Sequence, residues 1–405
     1  MKRAFIFVVS AVMTLTSCTE TIIGELPDTD RPDTLAIDSF KPDTVRFDAL
    51  PARQTRELFN LDEPSTSIAD RNKYEFRTDE LIRVSAAGEG DSMRVTSYSA
   101  KPVKDVRVDI YLPDFDTYVT AAWIDSIPAF SQLTFKPSVI GRRVVVKQGD
   151  DRYLSFFIPW LDANTHKPRL VSDDAHFKML SRIKARWTCY YSNYEGSWKE
   201  MSPIYAREWV VIMTNYTYMM TTEEYDLVMR NFKDVFGGDL YGNDKTPFTA
   251  EKYLSERERF ESGHTFRLGR TGDQVAGLGG GETLGVATWN FYSHYGSYSG
   301  WEAIAHEFMH CMGYSHDSNM TYDNKGVGWW QFIYQLHMWL TRKGDLPYND
   351  RHLLDFTNEK NAKYRGDVTI RDDFKTDEAM EATRTRFYNQ SPLVKYLEKI
   401  YGKQQ

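Results

Sequence analysis

The chain has 405 residues, of which 41% are hydrophobic and 14% aromatic, a composition that excludes wholesale disorder. This length is greater than one hydrophobic core usually organises, so we expect two folded domains. The formal net charge is −7, and such an acidic balance argues against nucleic acid as a partner.

The first 18 residues have the pattern of an export signal with a lipid attachment site. Two basic residues precede an apolar run over residues 4–15, which is too short to cross a bilayer as a helix. The tetrad Leu15-Thr16-Ser17-Cys18 then resembles the lipobox of bacterial lipoproteins. This resemblance implies that residues 1–17 are removed as a signal peptide and that Cys18 is acylated. A simple signal peptide with a chance cysteine is the alternative.

Cleavage before Cys18 would remove two of the 50 basic residues and leave 48 against 57 acidic ones, a net charge of −9. No later segment has the length and apolarity of a membrane span, so we expect the lipid to hold the protein on a bacterial membrane, facing the periplasm or the exterior. The remaining cysteines, Cys189 and Cys311, are too few and too far apart for a disulfide framework. We expect buried thiols, with a bridge between them as the alternative.

Residues 18–72 are predicted to be a flexible tether that carries the folded part away from the membrane. Pro-Asp-Thr recurs there at residues 27, 32 and 42. Such a composition buries little apolar surface, and proline stiffens the chain towards an extended form.

Residues 73–203 are predicted to form an antiparallel β-sandwich that resembles the immunoglobulin fold. Short runs of alternating apolar and polar residues dominate this stretch, as in Val106–Leu112 and Arg152–Ile158, and turn residues separate them. No motif decides whether this domain acts in spacing, in substrate docking or in stability.

Residues 204–405 are predicted to form a second domain, which makes the fold class α+β. Glu208–Met213 is predicted to be a buried strand, and Thr222–Phe236 a helix that ends at two glycines. Further strand-like runs lie within residues 264–295. Ser299, with Glu302 three residues later, is typical of a capping box and opens the next helix.

That helix contains the sequence H-E-x-x-H-x-x-G-x-x-H, from His306 to His316. His306 and His310 are four residues apart, so on a helix both imidazoles lie on one face and can bind one cation. Glu307 lies between them and can hydrogen-bond a water at the metal without being a ligand. Gly313 allows the left-handed conformation that ends a helix, after which His316 can return as a third ligand. Three nitrogens leave a fourth position for water, as in catalytic zinc sites.

On these residues the sequence resembles the metzincin peptidases. His-Glu-x-x-His alone is expected by chance in roughly one in a hundred chains of this length, and the glycine and third histidine make the match several hundredfold rarer. A charged helix face with incidental histidines is the alternative. The resemblance implies a zincin-like catalytic domain, Zn²⁺ held by His306, His310 and His316, and Glu307 as the catalytic base.

The resemblance also implies a strand at the upper rim of the cleft, for which Thr283–Ala287 is the candidate. A plain core strand beside a glycine turn is an equal alternative. Met320 is the nearest candidate for the methionine turn beneath the metal, although it follows His316 sooner than is usual in the family. Tyr322 has the offset of a tyrosine that reaches the zinc in the astacin branch. Its alternative is a solvent-facing side chain in a polar turn.

Other candidate ligands have less support. The gluzincins, a competing family, take the third ligand from a glutamate on a later helix, but the next glutamate after Glu307 is Glu359, in a polar run. His264 and His294 have no ligand spacing. His337 lies within Trp329–Leu340, which is predicted to be a buried helix beneath the site.

The sequence therefore predicts a monomeric zinc endopeptidase that acts on protein, peptide or glycoprotein substrates. A surface lipoprotein that binds a glycan or protein and has a vestigial zinc site is the alternative from another class. Hydrolysis of a non-peptide amide would use the same site.

Overall fold

The computed structural model describes residues 40–148, 152–296, 298–349, 363–364 and 375–403. The predicted signal peptide, Cys18 and the first part of the predicted tether lie outside these residues. Within them the chain is mixed α+β, as predicted, and its strands form four sheets.

The strands of the described residues are β1 (Asp43–Val45), β2 (Thr55–Glu57), β3 (Glu75–Arg77), β4 (Ile82–Ala87), β5 (Ser92–Ser97), β6 (Val103–Leu112), β7 (Thr117–Ile127), β8 (Ser131–Phe135), β9 (Arg143–Gln148), β10 (Arg152–Phe157), β11 (Arg169–Ser172), β12 (Trp187–Tyr191), β13 (Trp198–Lys199), β14 (His264–Thr271), β15 (Gly277–Gly280) and β16 (Thr283–Ala287). The α-helices of the described residues are α1 (Ser65–Ile68), α2 (Ala163–His166), α3 (Ala175–Leu180), α4 (Pro203–Met219), α5 (Glu223–Arg230), α6 (Phe232–Phe236), α7 (Ala250–Glu261), α8 (Asn290–Ser293), α9 (Tyr298–Cys311), α10 (Trp329–Lys343), α11 (Asp377–Gln390) and α12 (Pro392–Tyr401).

Two four-stranded sheets lie in the first half of the chain, with the orders β1-β7-β6-β11 and β2-β8-β5-β4. Apart from the parallel pair of β1 and β7, their neighbours are antiparallel. Alternate residues of each strand point inward, and both sheets contribute side chains to one hydrophobic core. The strands predicted within Val106–Leu112 and Arg152–Ile158 are confirmed as parts of β6 and β10. The immunoglobulin-like topology stays a prediction.

The predicted tether is wrong over residues 40–72, because this segment is part of the fold. Strand β1 pairs with β7, and β2 pairs with β8. Leu58, Phe59 and Ile68 are buried. A few apolar side chains between the prolines and aspartates are therefore enough to attach the segment to existing sheet edges and cores.

A six-stranded sheet has the order β15-β16-β14-β12-β3, with β13 also pairing with β14. Strands β12, β14 and β16 are parallel neighbours, whereas β15 and β3 are antiparallel to theirs. Three strands of this sheet, β3, β12 and β13, come from the segment 73–203 that was assigned to the sandwich. Strand pairing therefore crosses the predicted domain boundary between residues 203 and 204.

The predicted strand at Glu208–Met213 is wrong, because these residues lie inside helix α4. Nearly every residue of α4 is buried, so the segment is apolar on all sides and has no helical periodicity to distinguish it from a buried strand. The helix predicted over Thr222–Phe236 is present as two helices, α5 and α6, which meet at Asn231. It ends as predicted at Gly237, whose φ is +76°.

Helix α9 lies in the second, larger core. It contacts β15 and β16 on one side and α10 on the other. Helix α10 is buried along most of its length, which confirms the helix predicted for Trp329–Leu340. No helix in the described part of the chain combines the length and apolarity that a membrane crossing needs.

Candidate metal centre

Three imidazoles meet at the end of helix α9. The Nε2 atom of His310 lies 3.0 Å from Nε2 of His306 and 2.9 Å from Nε2 of His316. Two nitrogens that bind one zinc ion tetrahedrally, each at about 2.05 Å, are separated by ~3.3 Å. The three nitrogens therefore have nearly the spacing of a shared tetrahedral site, and three imidazoles are a donor set that suits Zn²⁺.

The chain reverses direction after α9 through a left-handed glycine, as predicted. Gly313 has a φ of +83°. Its amide donates to the carbonyl of His310, and the amide of Tyr314 donates to the carbonyl of Met309, which is the Schellman arrangement of a helix C-terminus. This turn brings His316 back to the two histidines of the helix.

Carbonyl groups orient two of the imidazoles through their other ring nitrogen. Nδ1 of His306 lies 2.9 Å from the carbonyl of Thr321, and Nδ1 of His310 lies 2.7 Å from the carbonyl of Tyr314. Because a carbonyl only accepts, Nδ1 must carry the proton and Nε2 presents its lone pair to the centre. Burial also lowers the pKa of His306, to about 4. Both effects favour the neutral imidazole that a metal needs.

Glu307 is enclosed between α9 and the glycine-rich strand β15. Burial raises the pKa of its carboxyl to about 7, while a hydrogen bond from the amide of Gly279 opposes that rise. A Cβ on Gly277 would lie 2.5 Å from Cγ of Glu307, and one on Gly279 would lie 2.2 Å from the carbonyl oxygen of Glu307. Glycine is required at both positions, because β15 passes too close to the helix for any side chain.

The strand at the rim of the cleft is β15 and not Thr283–Ala287, so that prediction is wrong. Thr283–Ala287 forms β16, which is paired on both sides and contributes buried Leu284 and Val286 to the core. The second interpretation of Thr283–Ala287, a core strand beside a glycine turn, is therefore the one that the structure supports. Among the described residues, β15 is the last strand of the sheet on this side. Glycine-rich β15 has almost no side chains, whereas β16 is apolar, so the sequence pattern favours β16 as the strand.

Tyr322 lies against the histidines and also faces solvent. Its ring centroid is 4.4 Å from that of His306 and 4.8 Å from that of His316, and 50% of the residue is exposed. Tyr322 therefore lies near the proposed metal site, as the astacin-like interpretation expects, and is also half exposed, as the solvent-facing alternative expects. Met320 is fully buried in the core beside this turn.

The histidines, Glu307 and Tyr322 line a cleft of about 520 Å³, which is also lined by residues 277–279 of β15 and by Ala276 just before that strand. Glu302, one helical turn before His306, also lines this cleft. The pKa of its carboxyl is raised, mainly by burial and also by the negative charge of nearby Asp323.

The predicted capping box is wrong, since Ser299 lies within α9 and not before its first residue.

Several residues that shape the site lie outside the H-E-x-x-H-x-x-G-x-x-H motif. The side chain of Asn243 donates to the carbonyl of Gly313 at 3.1 Å and accepts from the amide of Ser315 at 2.7 Å, so it supports the loop that precedes His316. Thr321 orients His306 through its backbone carbonyl, a group that no sequence pattern identifies. The one sequence signal for this part of the site is the glycine-rich segment 277–281, in which only Leu278 has a side chain, because such a segment allows a close approach of the backbone.

His264, His294 and His337 lie away from the group formed by His306, His310 and His316. His294 and His337 are buried in the core, and His264 lies on β14 beside the carbonyl of Gly281. Among the described residues, none of His264, His294 and His337 belongs to a group of side chains that could bind a metal ion. Cys189 and Cys311 are buried free thiols, as expected.

Compared with protein-family models, with curated proteins and with solved structures, the chain matches none.

Proposed function

We propose that the chain is a zinc-dependent endopeptidase, of metzincin type, that hydrolyses peptide bonds in protein or glycoprotein substrates. The observation that carries the proposal is the convergence of three Nε2 atoms, 2.9 and 3.0 Å apart, beside a buried carboxyl in a cleft. In this proposal His306, His310 and His316 hold the metal, and Glu307 is the general base.

Zinc held by these imidazoles would supply Lewis-acid chemistry, because it lowers the pKa of a water and polarises the scissile carbonyl. Glu307 accepts the proton of that water on its carboxylate. A base whose pKa is about 7 is partly ionised at neutral pH and still binds the proton well enough to remove it. Glu307 then gives the proton to the nitrogen of the leaving amine.

Tyr322 is proposed to assist at the oxyanion. Its ring packs on two of the histidines, so its hydroxyl belongs to the same wall of the cleft. A hydroxyl that donates to the developing negative charge lowers the barrier only in the transition state.

The unpaired edge of β15 supports a peptide substrate in extended form. This strand is antiparallel to β16 on one side and ends the described sheet on the other. Its backbone groups can pair with an added strand, which binds the main chain of a substrate without regard to sequence. Leu278, which is 37% exposed and lines the cleft, is the apolar contact for a substrate side chain.

The test compares the wild-type protein with Glu307→Gln. The variant is expected to bind one zinc ion per chain, as the wild type does, and to lose about 10³-fold or more of its activity, because general-base catalysis of this kind is worth ~10²–10⁴ in rate. Zinc is measured by elemental analysis and cleavage by mass spectrometry of a proteome-derived peptide library. Tyr322→Phe should lower kcat with the zinc retained.

An active Glu307→Gln enzyme would refute the assignment of the base. Stoichiometric zinc in the wild type without cleavage of any peptide or glycopeptide would favour a binding lipoprotein with a vestigial site. If the protein cleaves non-peptide amides but no peptide bond, it is an amidase and not an endopeptidase.

A further inference from the structure

A second cleft, of about 730 Å³, lies over the sheet β2-β8-β5-β4. None of the residues that line it belongs to the cleft of the histidines. Its floor is the outward face of the sheet, since the inward residues of these strands, such as Val95 and Leu133, lie in the hydrophobic core.

One row of outward side chains crosses all four strands of that floor. Arg56 is paired with Gln132, Gln132 with Thr96, and Thr96 with Arg83. Neighbouring strands are about 4.8 Å apart, so the row from Arg56 to Arg83 extends over roughly 14 Å. Arg94 belongs to the next row, opposite Ser85.

This floor differs from the ordinary solvated face of an antiparallel sheet. Thr96 points outward, yet it is only 6% exposed, and Asn72 and Lys73 from a different part of the chain line the same cleft. Its hydroxyl accepts a hydrogen bond of 3.1 Å from the amide of Gln132. A polar row enclosed in this way is suited to hydrogen-bond a ligand along its length.

The cleft is basic although the protein is acidic. Four basic and two acidic residues line it, whereas the chain has a net charge of −7. Glu63 pairs with Lys73 and lies 3.8 Å from Arg56, so those two charges are partly satisfied. Within the part of the chain that the structure describes, Arg83 and Arg94 have no carboxylate partner. Their guanidinium groups are available to an anionic ligand.

We propose that this cleft binds an acidic polysaccharide whose carboxylates pair with Arg83 and Arg94 and whose hydroxyls bond to Gln132 and Thr96. A guanidinium binds a planar carboxylate through two parallel hydrogen bonds. Binding of a peptide by strand addition would need a free strand edge, which the face of a sheet does not provide, and an acidic peptide held by the arginines alone would make no use of the hydroxyl-binding row. Single-stranded nucleic acid would need exposed rings for stacking, but the one aromatic residue of the cleft, Tyr98, is 2% exposed.

The test measures binding of a short oligogalacturonate to the detergent-solubilised full chain by calorimetry, without reference to proteolysis. Neutral dextran, polyglutamate and a single-stranded RNA are the comparison ligands. Oligogalacturonate is expected to bind, more weakly as salt is added, and the three others should bind at least tenfold more weakly. Arg83→Gln and Arg94→Gln should each weaken binding by about tenfold, the value of a charge-assisted hydrogen bond.

Arg230→Gln makes the same charge change on an exposed part of α5 and should leave the affinity unchanged. Gln132→Ala keeps every charge of the cleft and should lower the affinity for oligogalacturonate by several-fold. No binding of oligogalacturonate, equal binding of polyglutamate or RNA, or equal loss with Arg230→Gln would each overturn the proposal.

Discussion

Gly277 lies against the side chain of Glu307, so closely that a Cβ on the glycine would stand 2.5 Å from Cγ of the glutamate. The position of the proposed base is therefore set by the absence of a side chain on the neighbouring strand. Because β15 is also the proposed edge for the substrate, one strand would fix the base and the peptide relative to each other.

Gly277→Ala is expected to displace Glu307 and to lower kcat by about 10²-fold, the cost of a misplacement of ~1 Å at a reacting group. The zinc content should stay at the wild-type value, because the three atoms nearest to the added methyl group all belong to Glu307, which is not a proposed ligand. Steady-state kinetics and elemental analysis measure the two effects. Gly242→Ala is the control, since its Cβ would have no contact closer than 3.6 Å. An unchanged kcat in Gly277→Ala would contradict the proposed role of the close approach.

Asn243→Ala is expected to weaken zinc binding by about 10- to 100-fold, as is usual when a group that supports a metal ligand is removed. Its side chain holds the loop between Gly313 and Ser315, and without it His316 is less often in place. Competition with a zinc chelator measures the affinity. Asn164→Ala, at an exposed position of α2, should behave as the wild type does. Equal affinities of the two variants would rule out this supporting role.

The stability of the fold should depend on the protonation of Glu208. This carboxyl is buried in α4 and accepts a hydrogen bond of 2.7 Å from Tyr295, and burial raises its pKa to about 8 from 4.5. The folded protein thus binds the proton more tightly than the unfolded chain does. That contribution to stability is complete below about pH 4.5 and is lost as the pH rises through 8.

Glu208→Gln removes this dependence. Relative to the wild type, its free energy of unfolding should rise between about pH 5 and pH 8, by at most ~1.4 kcal/mol per pH unit. Urea unfolding in the presence of a chelator measures the difference without a contribution from metal binding. His294, whose Nε2 lies 3.5 Å from Oε2 of Glu208, makes a contribution of the opposite sign, since burial lowers its pKa to about 3. Burial keeps this imidazole neutral in the fold between about pH 5 and pH 8, so its contribution is expected to be the same in both proteins. A difference that does not change with pH would show that Glu208 is ionised in the fold.

Cys18→Ser is expected to abolish incorporation of a fatty-acid label and to release the protein from membranes, because the proposed anchor is a lipid on this residue. The activity of the released protein on soluble peptides should equal that of the wild type. Cys189→Ser is the control and should still be labelled. Label on the Cys18→Ser protein would contradict the lipobox interpretation.

The centre was more predictable than the fold around it. His306, Glu307 and His310 lie on one helix, so their relative positions follow from helix geometry, and Gly313 could be placed as the residue that ends this helix. The return of His316 depends on Asn243, which is distant in sequence and belongs to no motif. The rim strand was missed because glycines give no alternation of apolar and polar residues.

The errors in the fold have a common physical origin in burial. Helix α4 is apolar all round, so its residues 208–213 have the same composition as a core strand. Residues 40–72 look solvated from their composition, but short strands need only a partner edge to become ordered, and β7 and β8 provide one. Neither property can be read from a window of local sequence, because each is decided by a distant part of the chain.

The pairing of β12 with β14 joins segments that are more than 70 residues apart. A polypeptide cut at residue 204 would leave one side of β14 without β12 and β13, and bare strand edges of this kind promote aggregation. The second half of the chain therefore cannot be expressed, transplanted or lost as an autonomous module. Any search for a minimal active fragment has to begin upstream of β3, at residue 75 or before.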